Sequence, residues 1–435
     1  ESEEFSHQCE KNSIIFLGPN KKILKRFGNK QETKILAQKL GIPTCRTHKE
    51  VTSVNDIQNF YKEINGNNII LKSIYGGGGR GSRLVKSSEN LEEILSIVKK
   101  EAKAFSGLSH IFAEEFIDNA RHIEVQIVGD GKKCMHFFER DCSFQRNFQK
   151  VIEMAPAPNL STSTKDLLYQ YAIDICEKVS YRGLATVEFL VGKREEIYFI
   201  EVNPRIQVEH TVTEELTGVD LVRAQVNVYT GFSLEELSLK ATSNLGKRAS
   251  IQARLNMESY DDNNSLTPGV GVISEYDIVS GPGIRFDGFG RVGYENKGLY
   301  DSLLTKVIAT SEFGLDDAIR KLTFTLEKST LSGVATNKDL IINILKAEKF
   351  SKGLFNTSTI DKNLGKYLLP LRNDYKGRNI ADKYKEQSSL NKVNHKMLLE
   401  TGFIVNSKVI GTVIEINVFA GQKVAADETI LIQES

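Results

Sequence analysis

The spacing of apolar residues changes character several times along the chain, and each change predicts an element. Ile14–Leu17 is a short apolar run ending at Gly18-Pro19 and predicts a buried strand. A helix follows, with Asn29 as its cap, Ile35, Leu36 and Leu40 as its apolar stripe, and Gly41 with Pro43 as its stop. From Asn68 the pattern becomes Ile69-Ile70-Leu71-Lys72, then a glycine cluster, then Ser82–Lys86, which reads as two strands joined by a flexible loop. Glu92–Phe105 predicts a helix with Leu91, Ile94, Leu95 and Val98 inward. Arg121–Val128 and Lys132–Glu139 flank Gly129-Asp130-Gly131, a strong hairpin signal. Lys165–Val179 predicts a further helix, with Leu168, Ala172, Ile175 and Val179 on one face and Gly183 beyond its end. A second hairpin pairs Ala185–Val191 with Ile197–Val202 through the turn Gly192–Glu196. Short strands follow Gly281, then a helix through Ala318–Leu326. Asp361–Lys396 is polar and charged and reads as a linker. Phe403–Gln433 returns to a strand-turn-strand rhythm with Gly411 and Gly421 as turn residues.

Composition narrows the class. At roughly 150 residues per domain, 435 residues predict about three folding units. Lys and Arg total 57 against 56 Asp and Glu, a net +1, so there is no electrostatic case for a nucleic-acid partner. No apolar run approaches the roughly 18–20 residues a bilayer requires, and no membrane span is expected. The five cysteines form no CxxC pair and read as reduced thiols of an intracellular protein. The chain begins at Glu1 rather than Met and shows no secretory apolar core, so the expectation is that something upstream is missing.

Three stretches carry candidate chemistry. Gly76-Gly77-Gly78-Gly79-Arg80-Gly81 matches GxGxxG, a loop whose bare backbone can approach phosphate oxygens. Ser82-Arg83 stands where a Walker A loop requires Lys-Ser/Thr, so that reading fails. A glycine flap between two strands, with Lys72 as a point charge toward phosphate, fits better; an ordinary surface turn is the alternative. In the second hairpin Glu188 falls directly opposite Glu201, with Asn203 on the same face. Like charges so placed destabilise a sheet, and the arrangement makes sense around a hard cation such as Mg²⁺. A one-residue slip, leaving one glutamate solvated, is the alternative. Next to it, Asn203-Pro204-Arg205-Ile206-Gln207-Val208-Glu209-His210 sets a planar cation for a small oxyanion beside a carboxylate that could serve as base.

Two longer stretches resemble a known family. Glu139-Arg140-Asp141-Cys142-Ser143, with Gln145-Arg146, Gln149-Lys150, Glu153 and Ala155-Pro156-Ala157-Pro158, is similar to the central signature of biotin carboxylases. Phe199 through Glu214 resembles their second signature, and Tyr300-Asp301-Ser302 and Gly333-Val334-Ala335-Thr336-Asn337 match further stretches. The resemblance runs from about residue 10 to 350. It implies an α/β (α+β) ATP-grasp fold, with a flexible glycine-flap lid over a larger mixed-sheet domain and most of the N-terminal nucleotide-fold subdomain missing.

The domains expected from it are a remnant of that subdomain with a connecting helix (1–43), the lid (44–117), the C-terminal ATP-grasp domain (118–360), a linker (361–396) and an incomplete biotinyl-like domain (397–435). The last rests on Gly411-Thr412-Val413, Ala420–Val424 and Thr429–Ser435, which look like the first half of a biotinyl domain. The implied activity is ATP-dependent carboxylation of biotin with bicarbonate through carboxyphosphate. By resemblance Lys30, Lys72, Gly78, Gly79, Glu114, Glu115, Phe116, Ile117, His122 and Gln145 contact ATP. Glu188, Glu201 and Asn203 hold Mg²⁺ or Mn²⁺. Lys150, Arg205, Gln207 and Val208 hold bicarbonate, Glu209 removes its proton, and Arg254 stabilises the biotin enolate. Implied partners are a biotinyl carrier domain and a carboxyltransferase component, with a homodimer allowed and neither nucleic acid nor membrane. The expected compartment is the cytoplasm, or else a mitochondrial or plastid matrix. Phe148 and Asn147 depart from the family's usual His and Arg, and Phe cannot supply a hydrogen bond to nucleotide. The alternatives are a non-catalytic nucleotide- or subunit-binding fragment and another ATP-grasp ligase.

Overall fold

The computed structural model describes residues 1–74, 82–85, 90–106, 109–238, 245–261, 264–351, 353–369, 412–419, 421–425 and 431–434. The chain divides into two units, Glu1–Leu371 and Arg372–Ser435.

The first unit is built on an eight-stranded antiparallel sheet. Across the sheet the strands run Ile284–Gly288, Leu303–Ser311, Ala249–Asn256, Gln149–Ala155, Cys134–Arg146, Arg121–Asp130, Arg182–Val191 and Ile197–Asn203. Alternation with period two gives the sheet an apolar face and a polar face. On one side Ile123, Val125, Ile127, Val187 and Phe189 pack against Leu168, Ala172 and Ile175 of helix Thr162–Glu177. Farther along that sheet Ile251, Ala253, Val307 and Ala309 pack against helices Leu315–Lys328, Lys338–Leu345 and Thr359–Tyr367. The intervening residues Glu124, Glu188, Gln252, Arg254 and Lys306 therefore share the opposite face, on which helix His210–Thr217 sits. Gly183, at φ 101°, turns the chain into its strand where a Cβ would lie 2.8 Å from the Tyr229 ring. Only glycine fits there without displacing that ring.

A smaller antiparallel sheet, ordered Thr47–His48, Ile111–Glu115, Ile69–Ser73 and Ser82–Val85, carries the lid residues. Helices Val54–Glu63 and Leu91–Ser106 close a separate core around Ile57, Phe60, Leu71, Leu95 and Val98. The expected strand pair at Ile69 and Ser82 is present, with Ile69 opposite Val85. Its connecting loop, Gly76–Gly81 with Gly78 and Gly79, lies outside the described residues.

Three local expectations are corrected. Ile14–Leu17 is not a strand: no described strand pairs with it, and Ile14, Ile15 and Leu17 are exposed. Two helices, Glu3–Lys11 and Lys21–Gly28, flank it instead. The helix after Asn29 is present as Lys30–Lys39, but it buries Thr33, Lys34 and Ala37 while Ile35 is exposed. Lys34 turns inward because its ammonium meets Glu114 at 2.7 Å. Finally, helix Thr359–Tyr367 carries the packed unit past residue 360, because Ile360, Leu364 and Tyr367 at helical spacing dock into the core. The rest of the expected linker from residue 370 lies outside the described residues. In the second unit strands Thr412–Ile416 and Leu431–Glu434 pair antiparallel. Gly411, Ala420 and residues 426–430 lie outside the described residues. No described helix is long and apolar enough to cross a membrane.

Candidate active site

The polar face of the large sheet holds a row of charges set by strand register. Arg140 faces Glu124, Glu124 faces Glu188, and Glu188 faces Glu201, across four neighbouring strands. The register read from the second hairpin is therefore the one found at Glu188 and Glu201. Three adjacent carboxylates repel one another, and three cations offset them. Arg140, fully buried, reaches Glu124 at 2.5 Å. Lys150 lies 2.6 Å from Glu124, 3.0 Å from Glu188 and 2.6 Å from Glu209. Lys30, at the start of its helix, lies 2.7 Å from Glu201.

Lys150 is the hub. Burial alone would lower its pKa, but Glu124, Glu188 and Glu209 overcome that and hold it well above the ordinary lysine value. Burial would conversely raise the carboxyls of Glu188 and Glu209, yet Lys150 holds both below the usual carboxylate range, aided by His122 at Glu188 and by Arg254 at Glu209. Arg254 grips Glu209 at 2.9 Å and Glu153 at 2.5 Å. Glu209 is thus an ionised carboxylate held from two sides, one oxygen on Lys150 and the other on Arg254. Gln207 donates to Glu188 Oε1 at 3.1 Å, and the Val208 carbonyl accepts from Lys306 at 2.9 Å.

His122 and Gln145 meet behind this row. Gln145 Nε2 donates to the Cys142 carbonyl and lies 2.7 Å from His122 Nδ1. With Nδ1 so engaged, the other ring nitrogen of His122, Nε2, faces Glu188. Nε2 is 3.2 Å from Glu188 Oε2, without hydrogen-bond alignment. In the lid sheet Lys72 and Lys34 share Glu114, while Glu115 is bidentate to Arg46 at 2.7 and 2.9 Å. The Phe116 N–H donates to the Asn68 carbonyl, and Ile117 continues the segment out of the sheet. A cavity of about 20 Å³ lined by Lys30, Lys34, Lys72 and Glu114 lies where lid and large domain meet.

Not every expected residue joins the hub. Arg205 is 44% exposed, pairs with Glu1 at 2.9 Å and reaches Asn203 Oδ1 at 3.4 Å. Asn203 donates weakly to Glu201 at 3.5 Å. Glu188 and Glu201 are cross-strand partners and Asn203 lies two residues beyond Glu201, so each can offer an oxygen, the donor type that Mg²⁺ or Mn²⁺ takes. A second grouping was not anticipated: His122, Glu124 and Glu188 place ligand-type atoms within 4.8 Å of one another. Phe148 is half-exposed at the tip of a two-residue turn, with Asn147 at φ 47° and Phe148 at φ 63° between the paired Arg146 and Gln149. That is a type I′ geometry, which Asn tolerates and a bulky residue rarely adopts.

Sequence reasoning assigned no role to Arg140, Glu124, Glu153, Gln252 or Lys306. Arg140 and Glu153 lie inside the quoted signature; the other three have no local signal and acquire a role only from sheet neighbours.

Residues 29–237 match the family model of the carbamoyl-phosphate synthase L chain ATP-binding domain, and residues 252–362 match that of the biotin carboxylase C-terminal domain. Among curated relatives, pyruvate carboxylase of Bacillus subtilis is 38% identical over 381 residues, covering 86% of this chain and 33% of that protein. Mitochondrial pyruvate carboxylase of Rattus norvegicus is 40% identical over 368 residues, covering 83% and 31%. The chain thus spans about a third of the length of these relatives. Among solved structures, the biotin carboxylase domain dimer of Hydrogenobacter thermophilus 2-oxoglutarate carboxylase, in complex with MgADP, ADP and bicarbonate, superposes with TM-score 0.78 at 33% identity, covering 85% of this chain and 80% of that one. The Campylobacter jejuni biotin carboxylase–β-γ-ATP complex gives 0.77 at 32%, covering 83% and 79%. A single-chain, multi-domain long-chain acyl-CoA carboxylase gives 0.71 at 32%, covering 100% of this chain and 39% of that one. With the sheet, the lid and the Lys150–Glu209–Arg254 cluster in place, the chain belongs to the biotin carboxylase family of ATP-grasp ligases, which carboxylate biotin with bicarbonate and ATP.

Proposed function

We propose that the Lys150 hub is where this chain phosphorylates bicarbonate. The carrying observation is Glu209, an ionised carboxylate clamped between Lys150 and Arg254 on the polar face. Bicarbonate entering beside Lys150, Gln207 and the Val208 main chain takes over part of the Lys150 ammonium, and Arg205 swings from the rim to supply its fork. Glu209, released from one cation, accepts the bicarbonate proton. The bicarbonate oxygen then attacks the γ-phosphorus of ATP, its bond to the β-γ bridging oxygen breaks, and ADP leaves with carboxyphosphate formed. Positioning and charge neutralisation carry a step of this kind. Lys30, Lys72, Glu114–Ile117, His122, Gln145 and the glycines Gly78 and Gly79 are the proposed nucleotide contacts. Glu188, Glu201 and Asn203 would hold Mg²⁺ or Mn²⁺, which would neutralise phosphate charge there. Carboxyphosphate then breaks its C–O bond to give CO₂ and phosphate, the phosphate takes the ureido N–H proton of biotin, and Arg254 is proposed to stabilise the enolate so formed while its nitrogen attacks CO₂.

The final acyl acceptor belongs to a carboxyltransferase component, and the paired strands at Thr412 and Leu431 are proposed as part of a biotinyl carrier domain. A homodimer is the proposed assembly. All five cysteines are free, which suits a reducing compartment, the cytoplasm or an organelle matrix. One observation favours a second reading: Phe148 on its exposed turn offers nucleotide no hydrogen bond, as a non-catalytic nucleotide-binding chain would allow. Phosphate release from Mg-ATP, with and without bicarbonate and free biotin, separates the two. Release that requires bicarbonate and rises with biotin supports the enzyme; absence of release supports the second reading.

A further inference from the structure

Lys306 stands on the strand Leu303–Ser311, directly opposite Arg254. Two cations facing each other in an antiparallel pair repel, so each must be committed elsewhere. Arg254 is committed to the carboxylates of Glu153 and Glu209. Lys306, only 8% exposed, donates to the Val208 carbonyl at 2.9 Å and to Thr211 Oγ1 at 3.3 Å, with Asp287 more distant at 3.7 Å. An ammonium spent on a main-chain carbonyl instead of a full ion pair calls for a reason, and the identity of that carbonyl supplies one. It belongs to the peptide unit that leads into Glu209. Because that unit is planar, holding the Val208 C=O also fixes the direction of the Glu209 N–H.

The contacts close into a ring. Lys306 donates to Thr211, whose hydroxyl bonds Gln252 Oε1; Gln252 donates to Glu153 at 3.0 Å; Glu153 accepts from Arg254; and Arg254 grips Glu209. One cation thus holds the side chain of Glu209 and its cross-strand neighbour holds the backbone in front of it. We propose that Lys306 is a positioning residue for bicarbonate: it orients the Val208–Glu209 peptide so that the anion is received between that backbone and the Glu209 carboxylate. This rests on the reading of Val208 and Glu209 given above.

The test compares Lys306→Met, Lys306→Arg and Glu209→Gln in the whole chain, by bicarbonate-dependent phosphate release from Mg-ATP. A lost hydrogen bond to a charged group predicts a bicarbonate KM raised roughly ten- to hundredfold in Lys306→Met. KM for ATP stays within about twofold, since nucleotide contacts are untouched. Lys306→Arg, which keeps the donor, recovers most of the loss. An unchanged bicarbonate KM, or an equal rise in both KM values, overturns the proposal. Should Glu209→Gln retain bicarbonate-dependent release, the underlying reading of the site falls; loss in Glu209→Gln with an unaffected Lys306→Met removes the Lys306 assignment alone. If Lys306→Met does not fold, Thr211→Val breaks the same ring from the other side and is expected to raise the bicarbonate KM by a smaller factor; no rise overturns the proposal. Amide exchange across Val208–Val212, measured by mass spectrometry, gives a readout independent of turnover: faster exchange in the variant supports the role, and unchanged exchange overturns it.

Discussion

Replacing Arg140 with Met probes the charge row with least disturbance of shape. The guanidinium is fully buried and donates to Glu124 at 2.5 Å, Gln126 and Thr213 at 2.8 Å, Thr186 at 3.2 Å and Gln207 at 3.3 Å. Met keeps the aliphatic stem and removes every donor, so the loss combines the stranded charge with the small void where the guanidinium sat. Removing one partner of a buried pair typically costs about 3–5 kcal/mol, because the remaining charge is left buried. Glu124 keeps Lys150 on its other oxygen at 2.6 Å, which places the expectation at the lower end, about 3 kcal/mol. The chain has no tryptophan, so guanidinium unfolding is best followed by far-ultraviolet circular dichroism. Adding Glu124→Gln to the variant removes the stranded charge, and a coupling of about 2 kcal/mol between the two changes is expected. A loss under about 1 kcal/mol for Arg140→Met, or additive effects in the double variant, would refute the view that the row is held by paired charges.

Three further outcomes follow from the same geometry. Glu201→Gln removes a proposed metal ligand and leaves Lys30 unpaired; it should abolish Mg-dependent ATP turnover, and normal turnover would sink the assignment. Phe148→His restores a hydrogen-bonding side chain at the exposed turn and should tighten ATP binding by roughly tenfold, the worth of one good hydrogen bond, measured by calorimetry; unchanged affinity would show that the turn does not face nucleotide. Burial pushes the Glu114 carboxyl up, but Lys72 and Lys34 more than offset this and hold it at about 2, below the ordinary 4.5. A depressed folded pKa contributes stability that is complete above pH 4.5 and fades as pH falls toward 2. Thermal unfolding of the parent chain and Glu114→Gln should therefore converge as pH drops through that window; a constant gap would contradict the pairing.

The pairing of Glu188 with Glu201 agrees with the expected register, yet it is not the register of the turn: the pairs next to the turn, Val191 with Ile197 and Leu190 with Tyr198, carried straight back would set Glu188 against Ile200. Beyond Glu188 the register slips by one, so that Phe189 faces Phe199, a bulge that apolar alternation does not announce. The same physics hid Arg140. Counting back from the turn at Gly129 sets Gly129 against Cys134 and would bring Glu124 opposite Glu139. An irregularity at Phe138, with φ 64°, shifts the strand by one residue and brings Arg140 there instead. Lys306 and Gln252 were invisible for another reason: their partners lie far away in sequence and become neighbours only through the order of strands. The helix Thr359–Tyr367 was missed because its three apolar residues are outnumbered by six others, three of them charged, in composition, though their spacing is helical. The residues proposed for the site were assigned from motifs read by resemblance; Glu124, Gln252 and Lys306, which bond to several of them, carry no such assignment.

The most direct measurement follows oxygen from heavy-oxygen-labelled bicarbonate during turnover of Mg-ATP by this chain. If bicarbonate attacks the γ-phosphorus, each phosphate released carries one labelled oxygen, and Glu209→Gln releases none. Phosphate without label at normal turnover would mean that water is the attacking group, and the assignment of the Lys150–Glu209–Arg254 cluster to bicarbonate would be wrong.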